Sequence, residues 1–163
     1  MPLVFWDASA LVLRYAPETG SDVVDAIFDA VPLSDMVLAM IGYSETFAIL
    51  WRHRNRGTLT TEIFNEASSA LEVDFVLGTP KLLEMGNASV LRSLGLIQRQ
   101  NLNSTDAVIL TLYLDYLAEI GRKDVVVVAS DHRVLRAASA EGFAVIEPDG
   151  FDIKDVPDFL ANL

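Results

Sequence analysis

Four acidic residues stand where a carboxylate could do chemistry. Asp7 directly follows a short apolar run near the start of the chain, and Asp131 follows a valine-rich run after a single serine. Asp106 lies at the beginning of a long apolar segment, and Glu45 lies a few residues after another apolar run. The chain has no Cys, and carboxylates offer only oxygen atoms, so the ion that these four residues would hold is Mg²⁺ or Mn²⁺.

Each of these acids also has a purely structural explanation. An Asp at a helix start caps free N–H groups and interacts well with the helix dipole, which would account for Asp7, Asp106 and Asp131 singly. Glu45 alone is typical of an exposed helix. The combination favours a site, because Asp7 and Asp106 adjoin apolar segments, where a carboxylate needs a compensating partner. No Lys or Arg lies close to either in the sequence.

Hydrophobic spacing predicts the elements that must position these acids. The predicted strands are 3–6, 36–40, 75–77, 125–129 and 143–146. The predicted helices are 8–16, 21–30, 42–56, 60–73, 79–100, 104–120, 131–140 and 157–162, with Ser104 as the cap of the long one. Such alternation is typical of an α/β fold, here a three-layer α/β/α sandwich around a mostly parallel central sheet. The carboxyl ends of parallel strands share one edge, so acids that follow different strands can meet there.

Composition narrows the class of protein. A length of 163 residues suits one domain spanning residues 1–163, and a hydrophobic fraction of 52% excludes a disordered acidic tail. The net charge of −11 argues against bulk adhesion to nucleic acid or to a membrane, although a local basic surface stays possible. Neither a targeting segment nor a membrane span is recognisable, so a cytoplasmic protein is expected.

The only dense basic segment carries Arg52, Arg54 and Arg56 at the end of a predicted helix. One interpretation is charge that complements the helix dipole. The other is a flank beside the acids that contacts RNA phosphates. We expect the neighbouring Trp51 to lie in the core.

Five segments resemble the PIN-domain nucleases. They are DASALV at 7–12, YSE at 43–45, STDA at 104–107, VVVASDHRVL at 126–135 and EGFAVI at 141–146. Their order and spacing span nearly the whole chain and are most similar to the VapC-type ribonuclease toxins of prokaryotic toxin–antitoxin pairs. Segments 58–100 and 149–163 are longer than in compact toxins.

The resemblance implies a PIN-like fold and hydrolysis of RNA with one or two Mg²⁺ or Mn²⁺ ions. It implies that Asp7 and Asp106 hold the metal, that Asp131 completes its shell and that Glu45 binds a second ion or orients the nucleophile. Ser9 and Ser130 would bond the carboxylates or a phosphate, although helix capping explains them equally well. An antitoxin and a second copy of the chain are the implied protein partners, with the apolar segments 47–51 and 63–71 forming either the interface or the core.

Other classes compete with this interpretation. A PIN nuclease of RNA processing and a non-catalytic PIN-like interaction module would share the fold, although a degraded acid set would favour the latter and all four acids are present. A haloacid-dehalogenase-type phosphatase needs a second Asp two residues after Asp7, where Ser9 stands. No glycine-rich phosphate loop is present.

Overall fold

The structure is a computed structural model that describes residues 1–163. Its five strands form one parallel sheet in the order β3-β2-β1-β4-β5. The strands are β1 (Leu3–Trp6), β2 (Met36–Ala39), β3 (Lys81–Leu83), β4 (Val125–Val128) and β5 (Ala144–Ile146). The predicted α/β class and parallel sheet are therefore confirmed.

Helices connect the strands and cover both faces of the sheet. The helices are α1 (Ala8–Leu11), α2 (Ser21–Ala30), α3 (Met40–Asn55), α4 (Thr61–Phe75), α5 (Asn87–Gln100), α6 (Ser104–Ile120), α7 (His132–Ala140) and α8 (Val156–Ala161). Short 3₁₀ turns, among them Val12–Arg14 after α1, supplement them. None of the helices combines the length and the apolar character that crossing a bilayer requires.

Two hydrophobic cores divide the molecule into three layers. Alternate residues of the central strand point to opposite faces, so Val4 and Trp6 enter one core while Leu3 and Phe5 enter the other. The first core is closed by α1 to α4 and α8, and the second by α5, α6 and α7. Strands covered on both faces must be apolar throughout, which is why β1, β2 and β4 are fully buried.

The register of the sheet brings the ends of β1 and β4 together. Trp6 pairs with Val128, and the N–H of Asp7 continues the ladder to the carbonyl of Val128 at 2.9 Å. The two chain segments that leave these strands therefore start side by side. This places the residues after β1 and β4 at one edge, as expected for parallel strands.

The third strand was predicted in the wrong place. Segment 75–77 is not a strand, because Phe75 ends α4 as part of its buried face and contacts Phe28. The strand is Lys81–Leu83, and the helix predicted from residue 79 begins only at Asn87 and continues through Gly95. Three residues at a sheet edge carry too little alternation to reveal a strand, which forms because its backbone pairs with β2.

Candidate active site

Asp7 is the buried centre of the acid group. It leaves the buried strand β1 and caps α1, accepting a hydrogen bond from the backbone N–H of Ser9 at 2.9 Å and another from the Ser9 hydroxyl. Only 6% of its surface is exposed. Burial raises the pKa of the Asp7 carboxyl, the hydrogen bonds from Ser9 oppose that rise, and the charge of Asp131 adds to it.

Ser9 links the two strand ends. While its hydroxyl donates to Asp7, the same oxygen accepts from the backbone N–H of Ser130 at 2.9 Å and from that of Asp131 at 3.2 Å. The predicted hydrogen bond between Ser9 and a carboxylate is therefore present. Ser130 takes part in this contact through its backbone N–H, which donates to Ser9, and not through its hydroxyl.

Asp106 lies in the first turn of α6 and is only partly exposed. The cap of this helix is Asn103 and not Ser104 as predicted, because the Asn103 side chain accepts from the N–H of Asp106 at 2.9 Å. The Asn103 amide also donates to the Asp106 carboxylate at 2.7 Å. Burial, together with the charges of Asp7 and Asp131, raises the pKa of Asp106 to about 6.

Glu45 lies in the second turn of α3, which begins directly after β2. Its side chain is partly buried. Burial and the charges of Asp7 and Asp106 raise the pKa of Glu45 to about 7, while Arg52 opposes the rise. The sequence does not show this interaction, since Glu45 and Asp106 come from different helices.

Asp131 differs from the other three acids because it has an arginine of its own. It caps α7, accepting from the N–H of Arg133 at 2.8 Å, and it pairs with the Arg133 guanidinium at 2.9 Å. This pairing lowers the pKa of Asp131. The sequence did not reveal the pairing of Arg133 with Asp131, although the position of Arg133 two residues after a helix cap was a usable signal.

Tyr113 is a buried residue that connects the ends of the two strands leading to Asp7 and to α3. Its buried hydroxyl donates to the carbonyl of Trp6 at 2.6 Å and accepts from the N–H of Ala39 at 3.4 Å, so it ties the ends of β1 and β2. A narrow, mostly apolar cleft with room of about 10 Å³ runs between Asp7, Asp106 and Tyr113. That is on the order of one water molecule.

The structure thus brings Asp7 and Asp106 within range of each other's charge and of the charge of Asp131, and it brings Glu45 within range of Asp7 and Asp106. No three acidic or histidine side chains stand close enough to form a ready-made metal cluster. Asp7, Glu45 and Asp106 have only oxygen donors, raised pKa values and no hydrogen bond from Lys or Arg, which fits a hard divalent cation.

The basic segment is split in the structure. Arg52 is exposed, and its positive charge lies close enough to Glu45 to lower the pKa of that carboxyl. Arg52 therefore flanks the acids. Arg54 lies over the ring of Trp51, 5.1 Å from its centroid, and Arg56 is exposed just beyond α3. The prediction that Trp51 lies in the core is wrong, because 44% of its surface is exposed.

Comparison with known proteins identifies the fold. No protein-family model and no curated protein matches the chain. Among solved structures, PAE2754 from Pyrobaculum aerophilum is 20% identical, with a TM-score of 0.62 and coverage of 99% of this chain and 91% of that one. VapC20 from Mycobacterium tuberculosis, described as a sarcin-ricin loop cleaving toxin, is 14% identical, with a TM-score of 0.61 and coverage of 88% and 97%.

A third similar structure is FitAcB from Neisseria gonorrhoeae. It is 17% identical, with a TM-score of 0.63 and coverage of 91% of this chain and 100% of that one. These neighbours are PIN-domain proteins, and the likeness extends over most of each chain. The protein therefore has the PIN-like fold that the sequence motifs suggested.

Proposed function

We propose that the protein is a metal-dependent endoribonuclease that hydrolyses RNA phosphodiester bonds and acts as the toxin of a toxin–antitoxin pair. The observation that carries this proposal is that Asp7, Glu45 and Asp106 come together at the carboxyl edge of the sheet, buried or partly buried, where burial and the neighbouring carboxylates raise the pKa of each one. Carboxylates held together in this way disfavour one another's ionised form, and a divalent cation would relieve the repulsion. The fold shared with VapC20, a sarcin-ricin loop cleaving toxin, supports the choice of RNA.

Asp7 and Asp106 would hold one or two Mg²⁺ or Mn²⁺ ions, Asp131 would complete the metal shell, and Glu45 would help to bind a second ion or orient the attacking water. Such an ion polarises a phosphoryl oxygen and lowers the pKa of the attacking water. Ser9 holds Asp7 in a single orientation, because its N–H and its hydroxyl both donate to that carboxylate. Asn103 does the same for Asp106. Orientation of this kind by supporting hydrogen bonds is what metal-ligating carboxylates require.

Glu45 would orient the attacking water through its partly exposed carboxylate. The water oxygen bonds to phosphorus as the bond from phosphorus to the 3′ oxygen breaks, and a proton passes to that 3′ oxygen. The products then carry 3′-hydroxyl and 5′-phosphate ends. Arg52 would contact a phosphate beside the acids, and Arg54 and Arg56 would contact phosphates further along the RNA near the end of α3. Binding should therefore weaken as salt rises.

The test is cleavage of end-labelled RNA, one substrate unstructured and one a sarcin-ricin loop hairpin, in Mg²⁺ or Mn²⁺. We expect cleavage that EDTA abolishes and that Asp106→Asn reduces by more than the roughly 10–100-fold cost of losing a supporting partner. Asp115→Asn is the matched control, because it removes the same charge from the same helix at a residue paired with Arg92 on the surface. Full activity in Asp106→Asn, or in excess EDTA, would overturn the proposal.

Expression in bacteria tests the toxin assignment separately. We expect the wild-type chain to arrest growth, Asp106→Asn to be harmless, and a small protein encoded beside the gene to restore growth as its antitoxin. Cleavage in vitro without growth arrest would instead favour a nuclease of RNA processing. A folded wild-type protein with no cleavage would favour a non-catalytic interaction module.

A homodimer is also part of the proposal. Phe47, Trp51 and Ile63 leave more than 40% of their surfaces exposed on α3 and α4, above the buried ring of Phe64. Exposed apolar side chains grouped in this way are typical of a protein interface. Light scattering of the purified protein should give twice the chain mass, and a monomer would contradict this part.

A further inference from the structure

We propose that Asp131 is a positioning residue for Arg133 and not a metal ligand, and that Arg133 binds a phosphate oxygen of the RNA substrate. This inference rests on the proposed function as a metal-dependent nuclease. It assigns a substrate-binding role to a residue outside the acid set and removes one residue from the metal-ligand set that the resemblance implies. The metal would be left with Asp7, Glu45 and Asp106.

Both oxygens of the Asp131 carboxylate already have partners from Arg133. Oδ1 accepts from the backbone N–H of Arg133 at 2.8 Å and from its Nε at 3.3 Å, and Oδ2 accepts from Nη2 at 2.9 Å. Asp131 therefore caps α7 and holds the guanidinium at the same time. Since a metal ion at this carboxylate would stand beside a permanent positive charge, the pairing opposes metal binding.

The other three acids have no such partner. Asp7 accepts only from Ser9, Asp106 accepts from the neutral Asn103 amide, and no hydrogen bond reaches Glu45 from Arg52. Arg133 does act on Asp106 through its charge. The guanidinium thus lies at the border of the acid set, on the Asp131 side.

Arg133 keeps donors free for a ligand. A guanidinium carries five N–H groups, and Asp131 accepts from two of them. The side chain is 61% exposed even with Asp131 attached. Arginine with free, coplanar donors is the side chain best suited to a phosphate, which accepts two parallel hydrogen bonds from it.

The location of Arg133 in its helix also favours an anion. It lies in the first turn of α7, where the helix dipole disfavours a cation and favours a negative group. The negative charge of Asp131 partly offsets the unfavourable interaction between the Arg133 cation and the helix dipole. A phosphate bound here would interact favourably with both the guanidinium and the N-terminus of α7. The neighbouring His132 does not compete for this role, because it faces Glu147 at 3.4 Å.

The first experiment measures Mn²⁺ binding alone, by electron paramagnetic resonance, on the full chain. Asp131→Asn should keep the Mn²⁺ Kd within about threefold of wild type, because its carboxylate is not in the ligand set. Asp106→Asn, and Asp7→Asn as a second variant, should weaken it at least tenfold. Equal loss in Asp131→Asn and Asp106→Asn would overturn the positioning role.

The second experiment measures the binding of fluorescent single-stranded RNA by anisotropy, with Ca²⁺ in place of Mg²⁺. Arg133→Gln should weaken binding about tenfold and lower the slope of log Kd against log salt by about one. Arg133→Lys should recover part of the loss. Asp131→Asn should also weaken RNA binding, because the guanidinium of Arg133 is then no longer held in place. Arg136→Gln is the matched control, one helical turn further along α7, and should match wild type.

Cleavage assays separate failure of this inference from failure of the proposed function. Arg133→Gln should raise KM for RNA more than it lowers kcat, since it acts in binding. A wild-type protein that cleaves RNA while Arg133→Gln binds RNA normally would refute the inference and leave the nuclease assignment intact. A wild-type protein that binds Mn²⁺ yet never cleaves RNA would refute both.

Discussion

The hydroxyl oxygen of Ser9 accepts a hydrogen bond from the backbone N–H of Ser130 at 2.9 Å. The two residues are 121 positions apart in the chain, one following β1 and the other following β4. Because the same hydroxyl donates to Asp7, one small side chain connects the strand ends and orients the most buried acid.

Ser9→Ala should weaken both the fold and the site. The substitution leaves the N–H groups of Ser130 and Asp131 without this partner and removes one donor from Asp7, which costs about 1–3 kcal/mol of unfolding free energy. Urea denaturation measures this loss, and Mn²⁺ binding should weaken in parallel. Ser68→Ala is the control, because its hydroxyl donates only to the carbonyl of Asn65 in its own helix α4. Its effect should stay within about 0.5 kcal/mol, and an equally mild Ser9→Ala would contradict the bridging role.

Tyr113→Phe should destabilise the protein by about 1–3 kcal/mol, because the buried carbonyl of Trp6 would lose its hydroxyl donor. The ring itself still packs against Phe5, so the core volume is kept. Tyr116→Phe, on the same helix and partly exposed, provides the comparison and should be nearly neutral in thermal denaturation. Similar losses in the two variants would show that the Trp6 contact is unimportant.

The metal-free protein should lose stability as pH rises from about 4 to about 7. Asp106 and Glu45 have pKa values raised from 3.8 and 4.5 to about 6 and about 7, so the folded state binds more protons than the unfolded state between about pH 4 and pH 7. The free energy of unfolding therefore falls with rising pH in this window. The lowered pKa of Asp131 acts in the opposite direction but below its ordinary 3.8, outside the window. Calorimetry should show a lower Tm at pH 7.5, and millimolar Mn²⁺ should restore it.

Asp106→Asn should flatten that pH dependence. At pH 7.5 without metal it removes a carboxylate whose charged form is disfavoured by burial and by Asp7 and Asp131, so stability should rise by about 1–2 kcal/mol, or a few degrees in Tm. The amide oxygen of the Asn introduced at position 106 can still accept the hydrogen bond that Asn103 donates to Asp106. Asp115→Asn should leave the profile unchanged, and a destabilised Asp106→Asn at pH 7.5 would argue against charge repulsion in the site.

Gly20→Ala should cost about 2–4 kcal/mol of unfolding free energy. Gly20 has a φ of 88°, and a Cβ there would lie 2.8 Å from the carbonyl carbon of Pro148 and 2.9 Å from the nitrogen of Asp149. Both are backbone atoms and cannot move aside cheaply. Gly57→Ala, with a φ of 78° and no atom within 4 Å, should cost only about 1–2 kcal/mol. Equal losses in the two variants would mean that the contact with Pro148 is not tight.

Prediction from sequence succeeded where local patterns reflect burial. The runs that became β1, β2 and β4 are apolar throughout, because both faces of the sheet are covered, and each ends close to its predicted residue. Helix α2 was predicted with its observed bounds. The predicted helix 8–16 is instead α1 followed by a 3₁₀ turn, a distinction of hydrogen-bond geometry that spacing does not encode.

Choices between neighbouring residues were harder to predict. Asn103 and Ser104 are both good helix caps, and only the geometry of the first turn of α6 selects Asn103. Strand β3 exists through its pairing with β2. Trp51 packs edge-on against Phe64 of α4 and stays 44% exposed, while its neighbour Leu50 is buried; composition alone does not reveal which of the two enters the core.

The sequence by itself determined that acids would follow the buried strands and that they would meet at one edge, because parallel strands carry their carboxyl ends to the same side. Only the tertiary structure decided how each acid is charged and partnered there. Tyr113 reaches Trp6 across 107 positions, Glu45 and Asp106 interact from separate helices, and Asp131 turns to Arg133. Solvation and Coulomb energies depend on burial and on distances in space. The sequence could therefore suggest an acid site, while the packing of the helices and strands decided the charge state and the partners of each acid.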